Sequence, residues 1–280
     1  MPVAVSTCPA VEDRALADRH AAVFVQLSKL PPFRPAALKL LNISVESDSA
    51  MEDFEDSFKS DPALTADLLL VANSAEFGMP CRIETIRRAI AQLGLERVRA
   101  LGCTIAFSFF VRNLPRTEYG RAVWAHSITT AVIAEAAEPP NRGQALYTAG
   151  LMHDLGRLAL SLSVGPRYAA DLSQEFPGMA EANAFEKAQY GFTHLEAGSM
   201  VARKWGFPAS LQVGMASHHD PVEGRRGDPA NQIRLACRMA DWLGFPEVRR
   251  GDLEAPEGLS LHLEADELHK RIMQRVAAFG

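Results

Sequence analysis

Apolar positions recur every three to four residues over most of the chain, and no alternating run longer than a few residues competes with them, so the pattern predicts an all-α fold. In SDPALTADLLLVANSAEFGMP, Asp61 is a natural N-cap, and Pro62 fits the first helical position, where its missing N–H loses no partner. Leu64, Leu68 and Val71 then share a face, and Gly78 with Pro80 stops the segment. Ile86, Ala89, Ile90 and Leu93 form the next stripe; Gly94 breaks it, and the pattern resumes through Val98, Leu101 and Ile105. A last amphipathic helix is predicted in EADELHKRIMQRVAAFG, with Leu268, Ile272 and Val276 on the face that docks.

Punctuation divides this helical chain. NLPRTEYG, residues 113–120, is the best junction, giving an N-terminal helical lobe over 1–115 and a second helical bundle over 116–280. EPPNRGQ and HHDPVEGRRGDPANQ read as loops within lobes. A length of 280 residues with 48% hydrophobic content suits two such units. The net charge of −5 disfavours a general nucleic-acid or anionic-membrane surface. Four scattered cysteines, none in a C-x-x-C pair, indicate neither a disulfide framework nor a zinc ribbon. The start MPVAVSTCPA has no signal-peptide pattern, and the longest apolar run is too short for a bilayer, so a cytoplasmic location without membrane contact is expected. The helix–Gly–helix corner at Ile86–Leu101 is a weak helix-turn-helix signal, and DNA binding is disfavoured.

The chemistry concentrates in histidines and aspartates. His126 shares a helical stripe with Val123, Thr130 and Ile133 and therefore points to the core. His153 and Asp154 lie inside the apolar run TAGLMHDLGRLAL, read as helical, where an uncompensated carboxylate is costly. Thr193 and Glu196 have capping-box spacing, which sets His194 in the first turn of a helix whose inner face is Leu195, Gly198, Val201 and Trp205. His218 and His219 close SLQVGMASHHDP and face one site only if it lies at the helix end. Asp241 falls outside the stripe formed by Ala236, Met239, Ala240 and Leu243. Imidazole and carboxylate donors suit Zn, Mn, Fe or Ni, with Asp154 the natural bridge between two ions that activate a water against a phosphoester. The same residues also suit a buried hydrogen-bond network without an ion, and spacing leaves both readings open. Trp124, Trp205 and Trp242 read as core, Arg225-Arg226 and Arg249-Arg250 as solvated pairs, and Asn73-Ser74 as a brace at a helix end.

The order His126, His153-Asp154, His194, His218-His219, Asp241 resembles the ligand series of HD-superfamily phosphohydrolases, particularly the HD-GYP branch. The blocks LPPFRPAALKLLNI, SDPALTADLLLVANSAEFGMP, IETIRRAIAQLGLERVRALG, GLMHDLGRLAL, EKAQYGFTHLEAGSMVARKWGFP and ASHHDP together resemble the HDOD family, the HD-related output domain of bacterial signalling proteins. That resemblance implies a two-lobed helical body whose second lobe is HD-like, serving as an output module that works through a signalling protein partner. Carried over by position, His126, His153, Asp154 and Asp241 would hold one divalent ion, and Asp154 would bridge to a second held by His194, His218 and His219. The alternative function is a metal-dependent phosphodiesterase acting on a cyclic dinucleotide or related nucleotide, with Asp154 and Arg157 as its catalytic residues. Two departures weigh against turnover. The Gly-Tyr-Pro loop has become Gly227, Asp228 and Pro229, and the usual lysine three positions after the pair is Arg157, which contacts phosphate but cannot serve readily as an acid or base.

Overall fold

The computed structural model describes residues 9–74, 77–79, 81–112, 117–139, 142–220, 228–251 and 253–279. Among them it places fifteen α-helices and no strand; an isolated parallel bridge joins Phe176 to Arg250. The first six helices are α1 (Pro9–Lys29), α2 (Pro35–Asn42), α3 (Ala50–Lys59), α4 (Pro62–Ala72), α5 (Ile86–Leu93) and α6 (Leu95–Arg112). Then come α7 (Glu118–Ala136), α8 (Gln144–Met152), α9 (Leu155–Val164), α10 (Pro166–Leu172) and α11 (Met179–Tyr190). The last four are α12 (His194–Trp205), α13 (Ala209–Ser217), α14 (Pro229–Trp242) and α15 (Ala265–Phe279).

The caps expected from sequence set several helix starts. Asp61 accepts from Leu64 N at 3.1 Å, and Thr193 and Glu196 form the reciprocal capping box of α12. Thr117 caps α7; residues 113–116 of the junction lie outside the described residues. Gly94 takes φ +83°, a conformation costly for any residue with a Cβ, and separates α5 from α6. Asn73 braces the end of α4, donating to Leu69 O and exchanging two 2.7 Å hydrogen bonds with the backbone of Ile83. The stop assigned to Pro80 lies outside the described residues.

A continuous apolar cluster runs from Val23 on α1 to Ile272 on α15. At its centre, α6 is buried on every side from Ala100 to Ser108, and α7 is buried from His126 to Ala134. α1 packs on α9, α11 and α12, and α15 docks Leu268 and Ile272 beside α7. No helix among the described residues is long and apolar enough to cross a membrane.

Several expectations are corrected. His153 and Asp154 are not inside one helix: they form the turn between α8 and α9, with Asp154 at φ −98° and ψ 21°. The buried face of α4 is completed by Ala72 rather than Val71. On α12 that face is His194, Ala197, Gly198, Val201 and Trp205, with Leu195 only half-buried. Trp242 is 50% exposed, because the buried side of α14 turns through Cys237 and Asp241 instead of Met239 and Leu243. Arg250 is not solvated but pairs with Asp241, whereas Arg249 is exposed as expected. Residues 229–232 of the expected loop begin α14, capped by Asp228; Arg225, Arg226 and Gly227 lie outside the described residues.

Candidate metal centre

Five helix segments deliver the predicted residues to one buried point. His126 comes from the middle of α7, His153 and Asp154 from the α8–α9 turn, and His194 from the first position of α12. His218 caps the C-terminus of α13, and His219 follows it. Helix α13 ends at Ser217, and the two adjacent imidazoles at its end face the same point, with ring centroids 4.1 Å apart. Asp154 Oδ1 is 3.4 Å from His218 Nε2 and 3.7 Å from His194 Nε2. Its Oδ2 is 3.8 Å from His153 Nε2 and 3.9 Å from His126 Nε2, and these two imidazole nitrogens are 3.1 Å apart. The structure therefore brings together His126, His153, Asp154, His194, His218 and His219.

The histidines are oriented alike. Nδ1 of His153 faces Gly150 O at 2.5 Å, Nδ1 of His218 faces Gly214 O at 3.1 Å, and Nδ1 of His194 faces Glu186 Oε2 at 2.8 Å. Nδ1 of His126 faces Phe245 O at 2.8 Å. Carbonyls and carboxylates accept only, so each Nδ1 carries the proton, and wherever the ring is neutral Nε2 presents a lone pair toward Asp154. An acceptor nitrogen aimed at a carboxylate gains nothing from it, which argues against a closed hydrogen-bond network.

Nε2 of His194, His218 and His219 and both oxygens of Asp154 are buried without a hydrogen-bond partner. Burying so many unpaired acceptors is costly unless a cation satisfies them together. Asp154, His194, His218 and His219 each offer a donor atom within 4.8 Å of the others. Atoms about 2.1 Å from a common ion lie roughly 3–3.5 Å apart, close to the separations found here. Four acidic side chains (Asp154, Glu186, Asp241, Glu247) face two guanidiniums (Arg157, Arg250) and the His126 imidazole, so acids still outnumber bases and a cation offsets the excess. The residues present fit a metal ion.

Protonation states agree. Burial pushes the His153 imidazole down to about 3 and also lowers His194 and His219, leaving neutral rings. Burial works against the Asp154 carboxylate, but His153, His218 and Arg157 outweigh it and hold the group ionised. His126 differs: burial opposes its charge, yet the neighbouring Glu247 and Asp241 carboxylates raise it well above the ordinary imidazole range.

Asp241 is buried like the rest but sits behind His126: its Oδ1 is 3.2 Å from Nδ1, and its Oδ2 is paired with Arg250. Sequence reasoning missed Cys237, Glu186, Glu247 and Arg250. Glu247 bridges the two halves of the cluster, with Oε2 3.2 Å from His126 Nδ1 and Oε1 3.8 Å from His219 Nε2. Arg157 is fully buried, 3.0 Å from Glu186, 3.6 Å from Glu247 and 3.7 Å from Asp154, so it holds the acidic side chains together. Cys237, one turn before Asp241 on α14, was the most legible of the four.

The family model of the HDOD domain matches residues 30–221, more than half of the chain. This chain belongs to the HDOD domain family. A Treponema pallidum (strain Nichols) protein is 27% identical over 199 residues, covering 68% of this chain and 37% of the relative, so the chain spans little more than a third of that relative's length. Among solved structures, an HDOD domain protein of Geobacter sulfurreducens superposes with a TM-score of 0.71 at 22% identity, over 94% of this chain and 97% of the other. A candidate phosphohydrolase from Shewanella amazonensis SB2B gives a TM-score of 0.65 at 23% identity, over 93% and 98%. Both likenesses establish the helical HDOD fold.

Proposed function

We propose that this HDOD chain is a signalling output or regulatory module that works by contact with a protein partner, and that its HD-like half holds one or two divalent transition-metal ions without efficient catalysis. The observation that carries this reading is the closure of the centre. The side chains of Asp154, His126, His153, His194 and His218 are sealed in the helix packing, and even His219 exposes only 8% of its side chain. A centre so placed fixes how α7, α8, α9, α12 and α13 meet, which suits a structural or sensory role. In the N-terminal half, 1–115 in the proposed division, Leu70 on α4 is 74% exposed beside a cleft of about 720 Å³ lined by Leu69, Met79 and Ile83, a surface suited to an apolar partner contact.

A bound divalent ion would supply Lewis acidity and an acidified water. Asp154 would bridge, the Nε2 atoms would donate, and Arg157 is placed to hold an anionic oxygen beside Asp154. That arrangement keeps the phosphodiesterase alternative testable. Metal content by mass spectrometry and hydrolysis of cyclic dinucleotides should be measured on wild type and Asp154→Ala. The expected result is metal in the wild type, lost in the variant, with no turnover in either. Turnover by the wild type that Asp154→Ala abolishes would overturn the non-catalytic reading.

A further inference from the structure

His126 Nε2, the nitrogen that faces the centre, has four neighbours. His153 Nε2 lies at 3.1 Å, Thr130 Oγ1 at 3.4 Å, Cys237 Sγ at 3.6 Å and Asp154 Oδ2 at 3.9 Å. The carboxylate of Asp241, which the family resemblance places among the ligands, is not one of them. It meets the opposite nitrogen, Nδ1, and its other oxygen is held by Arg250. Nδ1 hydrogen-bonds Phe245 O at 2.8 Å, with Asp241 Oδ1 and Glu247 Oε2 each 3.2 Å away, the surroundings an orienting outer contact needs.

We propose that Cys237, rather than Asp241, is the fourth protein donor to the ion held by His126, His153 and Asp154, making that half of the centre a two-imidazole, one-carboxylate, one-thiolate site. The inference rests on the metal-holding reading above and assigns a donor within it. Donor atoms support it: Sγ of Cys237 and one ring nitrogen each of His126 and His153 lie within 4.8 Å of one another, all on buried side chains. Metal–sulfur bonds of about 2.3 Å and metal–nitrogen bonds of about 2.0–2.1 Å around a tetrahedral ion set N and S roughly 3.5 Å apart, against the 3.6 Å found here. Independently of the cysteine, Asp154 Oδ2 is fully buried, has no hydrogen-bond partner and points at the same two imidazoles. A thiolate in this set favours zinc or ferrous ion over magnesium or manganese, which prefer oxygen donors. Asp241 then becomes a positioning residue: it fixes the ring of His126 from behind, and Arg250 fixes Asp241.

Cobalt(II) is the probe, because a thiolate bound to it gives a near-ultraviolet charge-transfer band that imidazole and carboxylate donors do not. The full-length chain is titrated with cobalt as wild type, Cys237→Ser, Asp241→Asn and Asp154→Asn, with bound metal counted in parallel. The expected result is a band in wild type that persists in Asp241→Asn with affinity weakened roughly 10–100-fold, as for loss of an orienting contact, and disappears in Cys237→Ser. Cobalt bound by wild type without the band, or a band that survives Cys237→Ser, would overturn the thiolate assignment and leave the metal reading standing. Failure of wild type to bind cobalt or zinc at all would remove the metal reading and this assignment together. Serine is close to cysteine in size, and a circular dichroism spectrum matching wild type establishes that Cys237→Ser has folded.

Discussion

Glu186 accepts four hydrogen bonds in the interior. Arg157 Nη1 and the Tyr168 hydroxyl reach Oε1, the former at 3.0 Å, and the backbone N and Nδ1 of His194 reach Oε2 at 2.9 and 2.8 Å. Both oxygens are therefore engaged as acceptors, and the side chain must remain a carboxylate. Burial pushes its carboxyl up, but His194 and Arg157 outweigh this and keep it lower than usual. Glu186→Gln turns one acceptor into a donor pair, which must then face either Arg157 with Tyr168 or the two donors of His194. Breaking a buried pair this way costs about 3–5 kcal/mol, so the urea midpoint should fall markedly. Because Glu186 also holds the Nδ1 proton of His194, zinc affinity should weaken by roughly 10–100-fold in a titration of the folded variant. Unchanged zinc affinity would show that His194 does not donate through Nε2.

Helix α9 approaches α12 so closely that position 156 has no room for a side chain. A Cβ on Gly156 would overlap the carbonyl oxygen of His194 and lie 2.7 Å from the amide nitrogen of Gly198. These are backbone atoms at the start of α12, and they yield only if the helix moves. Gly156→Ala should therefore cost about 3 kcal/mol or more in thermal or urea unfolding, at the upper end of overpacking effects. Gly198→Ala, whose nearest contacts are 3.2 and 3.4 Å, should cost less. Equal stability of Gly156→Ala and wild type would disprove the close crossing. Helices of this kind were legible in the sequence where local chemistry dictates them: Asp61, Thr193 with Glu196, and Gly94 each act over a few residues. The break between α8 and α9 was not, because His153 and Asp154 sit in a run whose apolar periodicity continues unbroken across the turn. The direction of Asp241 was missed for a related reason: helix α14 buries a polar stripe, Cys237 and Asp241, and hydrophobicity alone selects the wrong face. Glu186 on α11, and Glu247 with Arg250 in the stretch after α14, reach the centre only through tertiary contacts, which no local spacing encodes.

At the scale of the whole molecule, the centre ties together helices that are remote in sequence, since His126 and Asp241 are 115 positions apart and meet within 3.2 Å. A cation held there binds the folded chain and not the unfolded one, so it stabilises by mass action, about 2.7 kcal/mol at a hundredfold excess over Kd. For a chain of this size each kcal/mol moves Tm by roughly 2–4 °C, so saturating zinc should raise Tm by about 5–10 °C over a chelator-treated sample. The direction follows from the buried acceptors. Without a cation, Nε2 of His194, His218 and His219 and the Asp154 oxygens are desolvated and unpaired; with one, they are satisfied. Asp154→Asn removes the charge that faces both halves of the cluster, and its Tm should be nearly insensitive to zinc and chelator alike. Hydrogen exchange locates the effect. Zinc should slow exchange most in α7, α8, α9, α12, α13 and α14, and least in α2, α3 and α4, which contribute no donor. An equal Tm shift in wild type and Asp154→Asn, or protection spread evenly over all helices, would place the ion elsewhere and separate its binding from the organisation of this bundle.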